Sequence, residues 1–260
     1  MIVKRDNDCW SLIAQIDHAS HAAAISDAWK LGPYGGEEIS ESLRYATSEH
    51  DLGWTESDLK PEVDSETGSP SNFTGIDEAT HTSFYARAVR RIADTDSTAA
   101  YLTSLHASGL YSRRYAWTGL KPVDWYAIGE HGRALLASER EFRVQLVSRM
   151  PSADAEFEAI WRSYMLLETF DCLSLLTCFG LDCQGFGPVP TVPGKWEMLS
   201  VQRVGPWVVA LDPFPFAAPE LVVKVPSWRL YQERFADSDE LRKMLATTPQ
   251  TSQETVYRPF

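Results

Sequence analysis

Four of the six histidines stand where their side chains could share a metal ion. Each falls at an apolar position of a predicted helix; His18, for example, shares a helical face with Ala22 and Ile25. Taken singly, each is better explained as a hydrogen-bonded core histidine. The recurrence of one residue type on four apolar faces favours a shared metal, because an unpartnered buried imidazole is costly. The four are His18, His50, His81 and His106, with His21 as the alternative to His18.

Two aspartates complete the candidate ligand set. Asp51 directly follows His50, and consecutive helical residues point about 100° apart, so His50 could bind one ion while Asp51 bridges two. Asp171 lies on the apolar face of a helix predicted over Ser152–Cys178, where a buried carboxylate needs a partner; a solvent-facing position is the alternative. Glu168, one turn earlier, is expected to support a ligand or to replace Asp171.

The residue types in this set indicate which ion it would hold. Mixed imidazole and carboxylate ligation suits iron, manganese or a similar transition metal better than calcium, and the lack of thiolates counts against a structural zinc. Six protein ligands leave open positions on two roughly six-coordinate ions, which is typical of a catalytic centre. The cysteines match no metal-binding spacing and are expected to be buried thiols: Cys9, Cys172, Cys178 and Cys183.

The elements that must position these residues divide the chain into three parts. Residues 1–16 are predicted to form a hairpin, residues 17–185 a helical core, and residues 186–260 a β-rich region. Since a lone hairpin is marginally stable, we expect it to join the C-terminal strands in one small antiparallel sheet beside a mainly α core. The proline-containing segment Trp207–Phe216 is predicted to be an edge strand.

Charge and composition argue against several partners. The formal net charge of −12 at pH 7 argues against nucleic acid or an anionic membrane, because both need a basic face. No apolar run is long enough to span a bilayer. Charged residues near the start leave no room for the apolar core of a signal peptide. Together with reduced cysteines, these features predict a cytoplasmic protein.

The ordered ligand set resembles that of the HD superfamily of metalloenzymes. The string His50-Asp51-Leu52-Gly53 is similar to the family's His-Asp-aliphatic-Gly signature. The resemblance implies an HD-type helical bundle in which six side chains hold two metal ions. The six are His18, His50, Asp51, His81, His106 and Asp171. The whole chain also resembles an uncharacterised bacterial family, from which no activity follows.

Within the HD superfamily, such dinuclear centres occur in two kinds of enzyme. One kind hydrolyses phosphate esters; the other resembles myo-inositol oxygenase, whose di-iron centre uses dioxygen. Trp54 stands where hydrolases often carry a phosphate-holding Lys or His, although inositol oxygenases also carry a Lys there. Tyr85 predicts an aromatic pocket, and Arg113 could hold an anion. We expect a di-iron oxygenase acting on a small polar or anionic substrate; a phosphohydrolase and a non-catalytic binding protein are the alternatives.

Overall fold

The computed structural model describes residues 1–6, 8–29, 39–112, 128–181, 183, 185–190 and 195–260. Its helices are α1 (Gln15–Trp29), α2 (Glu41–Glu49), α3 (Thr55–Asp58), α4 (Glu78–Ala93), α5 (Ser97–Ser112), α6 (Glu130–Val147), α7 (Phe157–Cys178) and α8 (Ser238–Thr247), with short 3-10 turns at Leu52–Trp54 and Phe73–Gly75. Its strands are β1 (Ile2–Asp6), β2 (Cys9–Ile13), β3 (Gly185–Pro190), β4 (Trp196–Gly205), β5 (Val208–Asp212), β6 (Leu221–Leu230) and β7 (Thr251–Pro259).

The strands form one seven-stranded sheet in the order β1-β2-β6-β7-β5-β4-β3. The N-terminal hairpin enters it through antiparallel pairing of β2 with β6. β5 runs parallel to β7, whereas β6 runs antiparallel to β7. The expectation of a mainly α bundle with a small antiparallel sheet is therefore wrong: the sheet is mixed, curled and a substantial part of the molecule. Side-chain periodicity identifies strands but does not specify their partners or directions.

The predicted edge position of Trp207–Phe216 is also wrong. Within this segment only Val208–Asp212 form a strand, and β5 lies between β7 and β4. Both prolines of the segment come after Asp212, so they remove no donor from the ladder. The edge strands are instead β1 and β3, and β3 carries Pro188 and Pro190. A proline is tolerated there because one side of an edge strand has no partner.

Side-chain caps fix the starts of two helices near the candidate site. The Ser40 hydroxyl accepts a hydrogen bond from the backbone N–H of Leu43 and so caps α2. The Asp77 carboxylate accepts from the backbone N–H of Thr80 and caps α4. Each cap satisfies a donor that the first helical turn leaves unpaired, which is worth about 1 kcal/mol.

The longest helix begins later than its sequence pattern predicts. The predicted range was Ser152–Cys178, with Ser152 or Asp154 as the cap, whereas α7 spans Phe157–Cys178. Asp154 does not cap it, because its carboxylate accepts a hydrogen bond from the Thr98 hydroxyl at 3.0 Å. The end of the helix at Cys178 is as predicted.

α1 and α7 pack against the sheet and share its core. The Trp29 ring of α1 lies 5.4 Å from that of Phe170 in α7 and 5.9 Å from that of Phe216, which follows β5. Tyr257 of β7 is fully buried and donates a hydrogen bond to the carbonyl of Leu173 in α7. Burial of each aromatic ring stabilises this contact by roughly 2–3 kcal/mol. Among the described residues, every helix is too short or too polar to traverse a bilayer.

Candidate metal centre

Five of the six predicted ligands converge in the interior of the helical layer. Ligand atoms of His18, His50 and Asp51 lie within 4.8 Å of one another, and so do those of His50, His106 and Asp171. All five side chains are buried. α1 provides His18, the residues just after α2 provide His50 and Asp51, α5 provides His106, and α7 provides Asp171.

His50 presents an unpartnered ring nitrogen to the cluster. Its Nδ1–H donates to the carbonyl of Thr47 at 2.8 Å, which directs Nε2 away from the helix. Nε2 lies 3.4 Å from Asp51 Oδ2 and 3.6 Å from Asp171 Oδ1, and it has no hydrogen-bond partner. Burial lowers the pKa of His50, but the two carboxylates outweigh it and raise the pKa to about 9. The surroundings of this nitrogen therefore favour a cation, either a proton or a metal ion.

His18, not its alternative His21, contacts the cluster. Its Nε2 lies 2.8 Å from Asp171 Oδ1, and its Nδ1 lies 2.6 Å from Ser174 Oγ. Burial lowers the pKa of His18, yet Asp171 raises it to about 10. Burial likewise raises the pKa of Asp171, but the hydrogen bond with His18 and the nearby rings of His50 and His18 hold it well below the usual range. His21 instead contacts Ser174 and Thr255.

Glu168, expected to support a ligand or to replace Asp171, contacts His106. Its Oε1 lies 2.7 Å from His106 Nδ1. Burial, with a further contribution from His50, lowers the pKa of His106 to about 4, and burial raises the pKa of Glu168 well above its usual value. The two groups therefore share one proton; with that proton on Nδ1, His106 would leave its other nitrogen for a metal. Both side chains are 2 % exposed, so water competes little for this contact.

His81 is the predicted ligand that the structure does not bring into either group. Tyr85, one helical turn later on α4, lies between it and the cluster: the Tyr85 ring is 5.0 Å from that of His81 and 5.6 Å from that of His106. The Tyr85 hydroxyl donates to Asp51 Oδ1 at 3.2 Å. His81 Nδ1 meets the Tyr111 hydroxyl. Burial, and then His106, lower the pKa of His81 to about 4, so this ring is neutral at pH 7.

Trp54 packs between the turn that follows Asp51 and helix α4. It is 1 % exposed, and its ring lies 4.9 Å from Phe84, 5.6 Å from His81 and 6.3 Å from Phe73. Its indole is close enough to the Tyr85 hydroxyl to lower the pKa of that phenol, which burial nevertheless holds well above the usual value. Trp54 is therefore a core residue that also borders His81. Arg113, predicted to hold an anion, lies outside the described residues.

Replacing Trp54 by alanine should lower the free energy of unfolding by about 3–5 kcal/mol, because it empties a large, fully enclosed space. Urea denaturation monitored by far-UV circular dichroism measures this loss. Trp54→Phe, which keeps an aromatic ring, is the control and should lose less than half as much. A stable Trp54→Ala protein would show that the indole is a wall of an open pocket.

The turn after Asp51 needs a glycine at position 53 because it approaches α4 closely. A Cβ at this position would lie 1.9 Å from the backbone oxygen of Phe84 in α4. The Gly53 carbonyl also accepts a hydrogen bond from Arg87 Nη2 at 2.9 Å. The turn that carries His50 and Asp51 is thus held directly against the helix that carries Tyr85.

Sequence reasoning missed the hydroxyl groups behind His18. Ser174 lies three residues after Asp171, on the same face of α7, so helical spacing could have identified it. Thr255 lies in β7 and meets His21 at 2.7 Å. No local sequence pattern connects Thr255 with His21, because their contact depends on how the sheet packs on α1.

Layered helices on a curled mixed sheet, with a buried cluster of histidines and aspartates, define this chain as an α/β protein with a candidate metal centre. The sequence model of the family described as "Protein of unknown function (DUF3891)" matches residues 1–232, and the chain belongs to that family. No curated protein and no solved structure matches it.

Proposed function

We propose that this protein is a metal-dependent enzyme of the HD type. The observation that supports this most directly is the His50 Nε2 atom, which is buried, has no hydrogen-bond partner and faces two carboxylates. An orphaned ligand atom in such surroundings is costly unless a cation is present. His50 belongs to two groups of three donors, and within each group the ligand atoms lie within 4.8 Å of one another, so a metal is the natural occupant.

The donor set fits two transition-metal ions, with iron preferred and manganese as the other choice. His18, His50 and Asp171 would hold one ion, and Asp51 would bridge to a second. His106 would bind the second ion, oriented by Glu168. His81 completes this second site if its ring moves towards the cluster past Tyr85.

The metal ions would supply Lewis-acid and redox chemistry, and the residues around them would control access and orientation. Tyr85 holds the bridging carboxylate of Asp51 through its hydroxyl. Trp54 closes the side near His81 and excludes water there. Exclusion of water strengthens electrostatic interactions within the site.

Among the reactions of this class, we propose oxidation of a small polar or anionic organic substrate with dioxygen. The described groups that contact the cluster include the hydroxyls of Ser174 and Tyr85. A phosphate ester is held better by Lys or Arg. A hydroxyl-bearing substrate suits phenol and hydroxyl partners.

The test combines a metal assay with two activity assays. Iron-loaded protein should consume dioxygen in the presence of reductant, and partial reduction should give a paramagnetic signal that a substrate alters. The manganese form should hydrolyse phosphodiesters poorly. Rapid phosphodiester turnover by the manganese form, without dioxygen uptake by the iron form, would assign the protein to the phosphohydrolases instead. Metal binding with neither activity would identify a binding protein.

Substitution of His81 by alanine should lower the metal content from about two ions to about one per chain. The substitution removes a ligand from the second site and leaves the ligands of the first site in place. Metal analysis of protein purified from iron-supplemented cells measures this change. Thermal unfolding of the metal-free form should be nearly unaffected, since His81 is only partly buried. One ion in both the wild type and the variant would show that the cluster is mononuclear and that His81 takes no part in binding.

A further inference from the structure

Ser174 connects the two histidines of α1. Its Oγ lies 2.6 Å from His18 Nδ1 and 2.8 Å from His21 Nδ1. His21 Nε2 in turn lies 2.7 Å from Thr255 Oγ1, and the Thr255 hydroxyl donates to the Val223 carbonyl at 3.0 Å. Exposed fractions are at most 2 % for His18, His21, Ser174 and Thr255, so no water replaces these bonds. The row of contacts runs from the cluster to the β6–β7 ladder.

Counting the available protons gives this row of contacts a single direction when a metal is bound. A metal on Nε2 of His18 leaves the ring proton on Nδ1, which then donates to Ser174 Oγ. The one hydroxyl proton of Ser174 is then free for His21 Nδ1 at 2.8 Å, which is closer than its other partners, the His18 carbonyl at 3.2 Å and Cys178 Sγ at 3.7 Å. His21 consequently carries its proton on Nε2 and donates it to Thr255.

We propose that Ser174, His21 and Thr255 are positioning residues for the metal ligand His18. Their one-way chain of hydrogen bonds, ending at the Val223 carbonyl, holds His18 with its proton on Nδ1 and presents Nε2 to the metal. The proposal rests on the proposed metal binding and extends it: the sheet takes part in orienting a ligand that lies in the helical layer. Supporting groups of this kind commonly change metal affinity when removed.

The contact between His21 and Thr255 provides the sharpest test, because Thr255 bonds to His21 and not to a proposed metal ligand. Thr255→Val keeps the side-chain shape and removes the hydroxyl, whereas Thr255→Ser keeps the hydroxyl. Thr177→Val is the matched control: Thr177 Oγ1 is also buried, lies 3.1 Å from the Tyr257 hydroxyl of β7, donates to the backbone carbonyl of Ser174 at 3.0 Å, and has no hydrogen bond to either histidine. Cobalt(II) titration, followed by its visible absorption, measures affinity for each protein.

Thr255→Val and Ser174→Ala should bind cobalt(II) about 10–100-fold more weakly than the wild type, with a changed absorption band. Thr255→Ser should restore wild-type affinity, and Thr177→Val should keep it even where it lowers thermal stability. Equal affinity in Thr255→Val and the wild type would overturn the proposal, as would an equal loss in Thr177→Val.

A second measurement separates this proposal from the proposed function. ¹⁵N NMR of the histidine rings in metal-free protein should show the ring-nitrogen signals of His21 and His18 shifted by Thr255→Val and unchanged by Thr177→Val. A His18 signal that does not respond to Thr255→Val would overturn the chain whether or not metal binds. If the wild type binds no cobalt(II), iron or manganese, the proposed function fails and the positioning role fails with it, while the ring signals still decide whether the hydrogen-bond chain exists.

Discussion

Replacement of Gly53 by alanine should destabilise the protein by more than about 3 kcal/mol, at or beyond the upper end of the usual overpacking range. The added Cβ would stand 1.9 Å from the Phe84 oxygen and 2.5 Å from its carbonyl carbon, and backbone atoms cannot rotate away as a side chain can. This clash is relieved only if the turn and α4 move apart, and that movement separates Asp51 from Tyr85. The free energy of unfolding, measured with denaturant, and the metal content should therefore fall together.

Gly75→Ala is the control for this substitution. Gly75 also lies in a short 3-10 turn, and a Cβ there would meet nothing within 4 Å. Its stability should stay within about 0.5 kcal/mol of the wild type. A Gly53→Ala protein as stable as Gly75→Ala would mean that the turn does not press against α4 in solution.

Substitutions of His50 and Asp51 should empty the metal site. His50→Ala removes the nitrogen that faces both carboxylates, and Asp51→Asn removes the charge proposed to bridge the ions, so the content of transition metal should fall from about two ions to near zero per chain. Ligands that bind only the folded state raise stability, by about 2.7 kcal/mol at a hundred times the dissociation constant. The rise in melting temperature that iron or manganese gives the wild type should be absent in both variants.

The metal-dependent rise is the quantity to compare, because the metal-free proteins differ for other reasons. Without metal, Asp51→Asn also removes a buried charge. His131→Ala is the control, since His131 is an exposed residue of α6 remote in sequence from the other histidines. It should keep full metal content and the full rise in melting temperature. Full occupancy in His50→Ala would remove the basis of the proposed function.

Helical spacing predicted the convergence of His18, His106 and Asp171 because each side chain lies on the apolar stripe of its own helix, and that of His50 because it follows the stripe of α2 as its C-cap. The same reasoning could not rank His81 against Tyr85, which share one face of α4 four residues apart. Which of the two reaches Asp51 depends on the rotation and height of the whole helix. The contact of Gly53 with Phe84 sets that height.

The sheet was harder to predict than the helices. Strands β6 and β7 alternate between buried and more exposed residues, as half-buried strands do, but β3 contains Pro188 and Pro190, which exclude a helix without predicting a strand. Alternation also does not indicate which strands pair or in which direction, so the sequence could not predict the parallel pairing of β5 with β7. Contacts such as His21 to Thr255 depend on those pairings.

The central place of β7 has a consequence for synthesis of the chain. Without β7 the sheet is two pieces, β1-β2-β6 and β5-β4-β3, because β7 is the strand that joins β6 to β5. Thr255 is 234 residues after His21, so at about 5–20 residues per second it is translated on the order of tens of seconds later. A nascent chain therefore carries all the proposed metal ligands before it has the strand that joins the two parts of its sheet. An ion captured at that stage would meet an unfinished site, and β7, translated later, would set its final geometry.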